Sequence, residues 1–325
     1  MKKAYFIICV LSCLKISAIP PQKFPEAEIS NGIIHAHLYL PDSEKGYYRG
    51  TRFDWSGVIP SLEYKGHSYY GQWFEKYSPT THDAVMGPVE EFAPVGFSEI
   101  KPGESFIKIG VGALSKPDES AYSSFKLYNI VNPGKWKVKI QPDQVQFIHK
   151  LSDAGYAYEY QKTIQLTRGK PEMIISHTLK NEGLKTIETN VYNHNFLMID
   201  KQPAGPGYVI KFPVNVTGKG QGIGDIVQIR NNQLTFLREL TNSDKVYCGG
   251  LEGLSNSAKD YDLKIENRKT GAGVRITCDQ PISKLVFWAS PTTVCPEPYI
   301  RIKVGPGQEF TWKIYYEYYT LDIQK

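Results

Sequence analysis

Apolar and polar residues alternate with a period of two along most of this 325-residue chain. The last such run, 310–316, places Phe310, Trp312, Ile314 and Tyr316 on one face, which is the spacing of a half-buried β-strand. No segment shows the 3.6-residue period that a helix of three turns requires. The pattern therefore predicts an all-β fold that is built from many strands.

Similar strand-like runs recur through the rest of the chain, and turn residues separate them. The runs are 106–111, 136–140, 144–151, 157–166, 172–180, 187–199, 208–217, 273–278, 284–289 and 299–304. Pro-Gly or Asn-Glu-Gly sequences at 132–134, 181–183 and 305–307 predict turns between them. Because strands follow one another without helices, we expect a large antiparallel sandwich.

The N-terminus has the pattern of a secretory signal peptide. Two lysines precede an apolar run, 4–14, and the small residues at 16–18 offer a cleavage site. The run is too short to span a bilayer. We expect loss of residues 1–18 and export of a single domain, 19–325, to the periplasm or the extracellular space. The alternative is a lipoprotein that is acylated at Cys13.

Composition and charge narrow the possible partners. Charged residues make up 22% of the chain, and the formal net charge is +5, from 38 basic and 33 acidic residues. This balance points to an ordinary globular protein and indicates neither nucleic acid nor an anionic membrane as a partner. Outside the leader the cysteines are Cys248, Cys278 and Cys295. Since three is an odd number, we expect at least one free thiol, and buried small apolar residues are the simplest interpretation.

Motifs of the common enzyme classes are missing from the sequence. It contains no phosphate-binding P-loop, no His-Glu-x-x-His zinc motif and no Gly-x-Ser-x-Gly nucleophile elbow. The glycine-rich segment 218–224 lacks the spacing of a dinucleotide site, and we interpret it as a surface loop.

Two other segments carry candidate chemistry. In 191–196, His194 lies between two amides and aromatic residues, where it could donate to a sugar oxygen or, alternatively, be a core histidine bonded to backbone. Glu297 lies between Pro296 and Pro298. The prolines stiffen the backbone, which suits a catalytic base, although an exposed loop glutamate is equally compatible.

Together these segments resemble the galactose mutarotase-like (aldose 1-epimerase-like) superfamily. The likeness covers most of the chain after the leader and is strongest over 172–316. It rests on an Asn-His-Asn-Phe box at 193–196 after the strand 174–181, a Thr-Cys-Asp-Gln-Pro turn at 277–281, and a Cys-Pro-Glu-Pro-Tyr segment at 295–299.

The resemblance implies a large antiparallel β-supersandwich with a site in a cleft on one sheet. It also implies catalysis of anomer interconversion on a monosaccharide, either a free aldose or a uronic acid. Glu297 would be the base that takes the C1 hydroxyl proton, and His194 the acid that protonates the ring oxygen. No metal or cofactor is required, and the oligomeric state stays open.

This sequence departs from the family pattern in two places. A Leu-His-Gly-Gly-like box is absent, and His82 is the nearest substitute. The family's substrate-binding aspartate has no clean match, since Glu252, Asp260 and Asp262 all compete.

Further candidates for sugar binding come from the N-terminal third and from the Asn-His-Asn-Phe box. The candidates are Arg52, His82, Glu91, Asn193 and Trp55. The alternatives are a surface pair of Arg52 with Asp54 and, for Trp55, a place in the sheet core. Two other functions remain open: a non-catalytic carbohydrate-binding protein on this fold, or another sugar-active enzyme such as a lyase.

Overall fold

The computed structural model describes residues 23–322. The predicted signal peptide, 1–18, and the alternative acylation site Cys13 lie outside the described residues. Within 23–322 the regular secondary structure is almost entirely strand, so the all-β prediction is confirmed. The helical segments in this range are the short 3-10 helices Phe97–Glu99, Ile199–Lys201 and Ala258–Asp260, and none of these could cross a membrane.

The strands are numbered in chain order. They are β1 (Glu26–Ser30), β2 (Ile34–Tyr39), β3 (Val58–Tyr64), β4 (His67–Ser68), β5 (Gly87–Phe92), β6 (Ser105–Lys108), β7 (Gly112–Ser115), β8 (Ile130–Asn132), β9 (Lys135–Gln141), β10 (Gln144–Asp153), β11 (Tyr156–Leu166), β12 (Glu172–Asn181), β13 (Ile187–Phe196), β14 (Tyr208–Lys211), β15 (Val227–Arg230), β16 (Gln233–Phe236), β17 (Val246–Cys248), β18 (Asp262–Asn267), β19 (Ala272–Cys278), β20 (Lys284–Ser290), β21 (Thr293–Val304) and β22 (Glu309–Thr320).

The strands form four sheets. The largest has ten strands in the order β15-β16-β14-β18-β19-β22-β12-β11-β10-β9, and the second has five in the order β17-β20-β21-β13-β5. A four-stranded sheet, β1-β2-β3-β4, and a three-stranded sheet, β6-β7-β8, complete the arrangement. All the pairings between these strands are antiparallel, as the sequence predicted.

Several strands follow the sequence pattern closely, and a proline shortens one of the predicted runs. In β22, Trp312, Ile314 and Tyr316 are buried while the residues between them are more exposed. The predicted run 208–217 forms a strand only as far as Lys211, because Pro213 has no N–H to continue a ladder.

The predicted turns at 132–134 and 305–307 depend on their glycines. Gly134 and Gly307 have φ of +68° and +72°, in the region that residues with a Cβ atom rarely adopt. In both turns the glycine follows a proline, which is the order that a type II turn favours. These turns connect β8 to β9 and β21 to β22, so each one leads the chain from another sheet into the ten-stranded sheet.

The main hydrophobic core lies between the ten-stranded and five-stranded sheets. Ile175 and Ile314 of the larger sheet and Val191 and Ile302 of the smaller one are buried members of this core. Burial of such side chains stabilises the fold by about 1.5–3 kcal/mol each. The inner face of the five-stranded sheet is therefore covered, and its outer face is left for a binding site.

A buried polar network also joins these two sheets. Glu90 of β5 forms an ion pair with Lys162 of β11, lies 2.8 Å from Nε2 of His177 of β12, and accepts a 3.1 Å hydrogen bond from Asn193 of β13. Burial alone would raise the pKa of Glu90, but Lys162 and His177 together lower it. Removing one partner would leave an uncompensated buried charge, so each member of the network depends on the others.

Candidate active site

The outer face of the five-stranded sheet forms the floor of a cleft of about 920 Å3. That volume lies within the range of about 300–1,000 Å3 that is usual for small-molecule sites. Loops 46–57, 71–86 and 116–129 contribute to its walls, and Tyr247 of β17 lines it as well.

Strand parity determines which side chains reach the cleft. Successive residues of a strand face opposite sides, so Tyr192, His194 and Phe196 of β13 all point into the cleft. Glu91 of the neighbouring strand β5 is paired with Tyr192 and lies on the same face.

Glu297 enters the cleft from β21, where two prolines interrupt the ladder to β13. Leu197 and Val294 form a pair that exchanges two backbone hydrogen bonds. In an antiparallel ladder such pairs recur at every second residue, so the next ones along β21 would fall at 296 and 298. Pro296 and Pro298 occupy those positions and have no N–H to donate. The side chain of Asn195 donates to the carbonyl of Pro296 instead, at 2.8 Å. Glu297 is thus a buried strand residue, which excludes the exposed-loop alternative.

Glu297 and His194 face each other in the cleft. Oε1 of Glu297 lies 3.3 Å from Nε2 of His194, and the two residues are only 5% and 4% exposed. Burial raises the pKa of Glu297 to about 8, and Arg52 opposes part of that rise. Burial, with a smaller effect of Arg52, lowers the pKa of His194 well below its usual value. At neutral pH the pair therefore holds one carboxylic proton, and the imidazole is neutral.

Aromatic rings surround His194 and account for its low pKa. Phe196 stacks on the imidazole with a centroid distance of 3.8 Å, and Phe53 and Trp288 contact it edge-on at 5.8 and 5.6 Å. Trp73 covers the other face of Phe196 at 4.8 Å. Nδ1 of His194 has no hydrogen-bond partner among residues 23–322. The ring can therefore exchange protons only through Nε2, toward Glu297 and the cleft.

Arg52 is held beside this pair by a second set of hydrogen bonds. Its Nε donates to Oε2 of Glu91 at 2.7 Å, and Nη2 donates to the hydroxyl of Tyr192 at 3.1 Å. Lys108 lies behind Glu91, with Nζ 3.7 Å from Oε1. Burial would raise the pKa of Glu91, but Lys108 and Arg52 outweigh it, so the pKa is lowered and the carboxylate stays ionised. Arg52 is buried, and its partner is Glu91 rather than Asp54.

The other predicted sugar-binding residues fall into two groups. His82 lines the cleft, where Phe125 contacts its ring at 5.1 Å. Asn193 is adjacent to His194 on β13, so its side chain faces the other side of the sheet. It points away from the cleft into the polar network between the sheets. Trp55 is buried beside the cleft and donates to the carbonyl of Gly50 at 2.8 Å. The structure therefore places Asn193 and Trp55 outside the candidate site.

The remaining sequence expectations concern groups around the site. Asp262 pairs with Arg275, and Asp260 accepts from the backbone of Ser255, so neither one reaches the cleft. Glu252 is exposed elsewhere. The segment 218–224 is a loop that is largely accessible to solvent, as predicted.

The cysteines and possible metal ligands can be described for residues 23–322 only. Cys248, Cys278 and Cys295 are buried free thiols there, in agreement with the expectation of at least one free cysteine. No group of three or more His, Cys, Asp or Glu side chains in that range is arranged to hold a metal ion.

Sequence reasoning missed several residues of the cleft. Tyr192 could have been predicted as a cleft residue, since it lies two residues before His194 on the same face of the strand. Tyr122 could not, because it comes from a distant loop that only the tertiary fold brings to the cleft. The same holds for Lys108 of β6, which does not line the cleft but lies behind Glu91.

The fold is similar to that of several solved structures. The Slr1438 protein from Synechocystis sp. PCC 6803 superimposes with a TM-score of 0.58 at 12% identity, covering 93% of this chain and 98% of that one. An aldose epimerase homologue from C. elegans gives 0.55 at 12% identity, covering 92% and 99%. A galactose mutarotase related enzyme from Lactobacillus acidophilus gives 0.53 at 13% identity, covering 92% and 99%.

These likenesses establish the fold alone, which is the galactose mutarotase-like β-sandwich. No family model and no curated protein matches the sequence.

Proposed function

We propose that this chain, which has the galactose mutarotase-like fold, is an exported carbohydrate epimerase that interconverts the anomers of a free aldose or uronic acid. The observation that carries the proposal is the Glu297–His194 pair, with 3.3 Å between a carboxyl oxygen and an imidazole nitrogen in a cleft. The names of two similar structures, an aldose epimerase homologue and a galactose mutarotase related enzyme, point to the same chemistry.

The proposed reaction needs one proton acceptor and one proton donor. The acceptor takes the proton of the C1 hydroxyl, the donor protonates the ring oxygen, and the bond between C1 and the ring oxygen breaks to give the open-chain aldehyde. Rotation about the C1–C2 bond and reversal of these steps give the other anomer. Atoms and charges balance without a further reactant.

The singly protonated pair meets this requirement. Because burial raises the pKa of Glu297 to about 8 and lowers the pKa of His194, Glu297 is suited to donate a proton and Nε2 of His194 to accept one. The resemblance assigns the opposite roles, which the same pair can adopt if Glu297 first passes its proton to His194. Both routes start from a pair that holds one proton, so its total protonation is the quantity that controls the rate.

The rest of the cleft is suited to a sugar. Trp73, Trp288 and Tyr299 offer aromatic surface to the C–H faces of a pyranose. Arg52 and Glu91 place a donor and an acceptor beside the reacting pair, as hydroxyl recognition requires.

Polarimetry tests the proposal. Fresh α-anomers of glucose, galactose and galacturonate should equilibrate faster with the wild-type protein than spontaneously. Glu297→Gln should abolish most of the acceleration. Glu188→Gln is the matched control, since Glu188 is an exposed residue of β13 that pairs with Lys303, and it should retain full activity. A wild-type protein that accelerates none of a broad panel of aldoses would contradict the proposal.

A non-catalytic carbohydrate-binding protein is the second candidate. It is favoured by Nδ1 of His194, which has no hydrogen-bond partner in the described part of the chain, because catalytic imidazoles are usually oriented by a second hydrogen bond. Binding of a sugar without faster mutarotation would identify this function.

A further inference from the structure

We propose that the cleft selects a sugar that carries a carboxylate, a uronic acid, and that Arg52 and Tyr122 receive this carboxylate while Lys108, buried behind Glu91, adds positive charge. We call these three residues, together with Glu91, the anion corner. The inference rests on the proposed function and narrows its substrate class.

The first argument is an excess of positive charge. Arg52 and Lys108 are both buried, and they share a single carboxylate, that of Glu91. The carbonyl of Phe92 accepts from Nζ of Lys108, but no second carboxylate among residues 23–322 pairs with these two cations, so one positive charge is left over in the anion corner. Because an uncompensated buried charge is costly, an anionic ligand would be stabilised there.

The other ionisable groups of the cleft do not supply the missing anion. Burial raises the pKa of Glu297 to about 8, so this carboxyl is uncharged at neutral pH. Asp83 and Lys245 also line the cleft, and their charges cancel. Burial lowers the pKa of Lys108 to about 8, and Glu91 opposes this shift, so the ammonium remains largely protonated at pH 7.

The second argument concerns unused donors. Nη1 of Arg52 makes no hydrogen bond within the described part of the chain, whereas Nε and Nη2 are both occupied. The hydroxyl of Tyr122 is buried and has no partner among residues 23–322. Nζ of Lys108 lies 5.3 Å from the centre of the Tyr122 ring, so Tyr122 belongs to the anion corner.

The loop 116–129 closes this corner over the floor of the cleft. Phe125, in the same loop as Tyr122, lies over the guanidinium of Arg52 at 4.9 Å from its ring centre. An apolar ring above the charge lowers the local dielectric and strengthens the attraction to a carboxylate.

A neutral sugar would leave both the excess charge and these donors unsatisfied. Hydrogen bonds to charged groups contribute about 1.5–3 kcal/mol, so we expect a uronic acid to bind about ten-fold more tightly than the matching neutral sugar, or better.

Calorimetric titration with methyl glycosides tests the inference. The methyl glycosides of galacturonate and galactose have a locked ring and cannot mutarotate, so their binding does not depend on catalysis. We expect the uronide to bind at least about ten-fold more tightly at pH 7. Equal affinities, tighter binding of the galactoside, or no binding of the uronide would overturn the inference. The proposed function fails separately, through the absence of accelerated mutarotation for any free sugar.

Variants locate the effect in the anion corner. Tyr122→Phe should reduce the affinity ratio of uronide to galactoside about three- to ten-fold. Tyr47→Phe is the matched control, because its hydroxyl is also buried and unpartnered in the described chain but lies outside the cleft, and it should keep the ratio.

A second variant removes the buried charge. Lys108→Met should reduce the ratio about ten-fold or more, whereas Lys264→Met, which removes an exposed lysine of β18, should not change it. If Lys108→Met does not fold, the affinity ratio of Tyr122→Phe decides the assignment. An unchanged ratio in Tyr122→Phe, or in folded Lys108→Met, would contradict the assignment.

Discussion

Phe196 lies flat against His194, with ring centroids 3.8 Å apart and planes within 5° of parallel. The two residues are neighbours of the same parity on β13, and Trp73 continues the stack on the other side of Phe196. The stack excludes water from one face of the imidazole. It thereby favours the neutral ring and links the aromatic residues of the cleft to the proton chemistry of the candidate pair.

Shortening Phe196 should raise the pKa of His194. In Phe196→Leu, water reaches the face of the ring that Phe196 covered, so the imidazolium form becomes less costly and the pKa moves up toward its usual value of about 6.5. NMR titration of the imidazole signals measures the shift. Phe212→Leu, which trims a buried phenylalanine outside the cleft, is the control. A His194 pKa that is unchanged in Phe196→Leu would show that the stack does not control it.

Glu297→Gln should stabilise the protein at alkaline pH. Burial raises the folded-state pKa of Glu297 to about 8, whereas the unfolded value is about 4.3. The folded state therefore binds an extra proton between these values, and the stability due to Glu297 is lost as the pH rises through this window. Glutamine does not ionise, so the variant does not lose this stability. The unfolding free energy of Glu297→Gln, relative to that of the wild type, should therefore rise by a few kcal/mol between pH 5 and pH 9.

Urea unfolding at the two pH values measures this difference, and Glu188→Gln serves as the exposed control. If the difference in unfolding free energy between Glu297→Gln and wild type is the same at pH 5 and pH 9, then Glu297 has an ordinary pKa in the folded protein.

Arg52→Lys should weaken sugar binding. A lysine keeps the charge, but its single ammonium cannot bond Glu91 and Tyr192 in the geometry of the guanidinium. We expect a loss of affinity of about ten-fold and a loss of about 1–3 kcal/mol in stability, because Arg52 is buried. Arg275→Lys, at a pair with Asp262 outside the cleft, should leave affinity unchanged. Equal affinities of Arg52→Lys and wild type would give Arg52 a purely structural role.

The N-terminal segment should be removed on export. The pattern of two lysines, an apolar run and small residues predicts a mature chain that lacks about the first 18 residues. N-terminal sequencing of the protein from the exported fraction measures the start. A chain that begins at Cys13 with the mass of a lipid would identify a lipoprotein, and an intact N-terminus would exclude cleavage.

The sequence predicted strands well where one face of the strand is buried and the other is exposed. β22 and β10 show this alternation and were found. β5 is buried at every position, so no period of two marks it, and the strand that carries Glu90 and Glu91 was not predicted. Long-range sheet order was likewise out of reach, because pairs such as β12 with β22 depend on the packing of the whole chain.

The candidate site was predictable only in part. Local sequence singled out His194 and Glu297, and their proximity follows from the register of β13 with β21. Strand parity alone would have separated Asn193 from His194. The partner of Arg52 could not be deduced, since Glu91 and Asp54 are both acidic and only the fold decides between them.

The double-mutant comparison of Glu297 and His194 tests the central claim most directly. Glu297→Gln and His194→Asn should each slow enzyme-dependent mutarotation by about 100-fold or more, and the double variant should be little slower than either, because the residues act as one proton-transfer unit. Polarimetric relaxation of fresh α-anomers, corrected for the spontaneous rate, measures all four proteins. Activity that survives in Glu297→Gln, or losses that multiply in the double variant, would contradict the account.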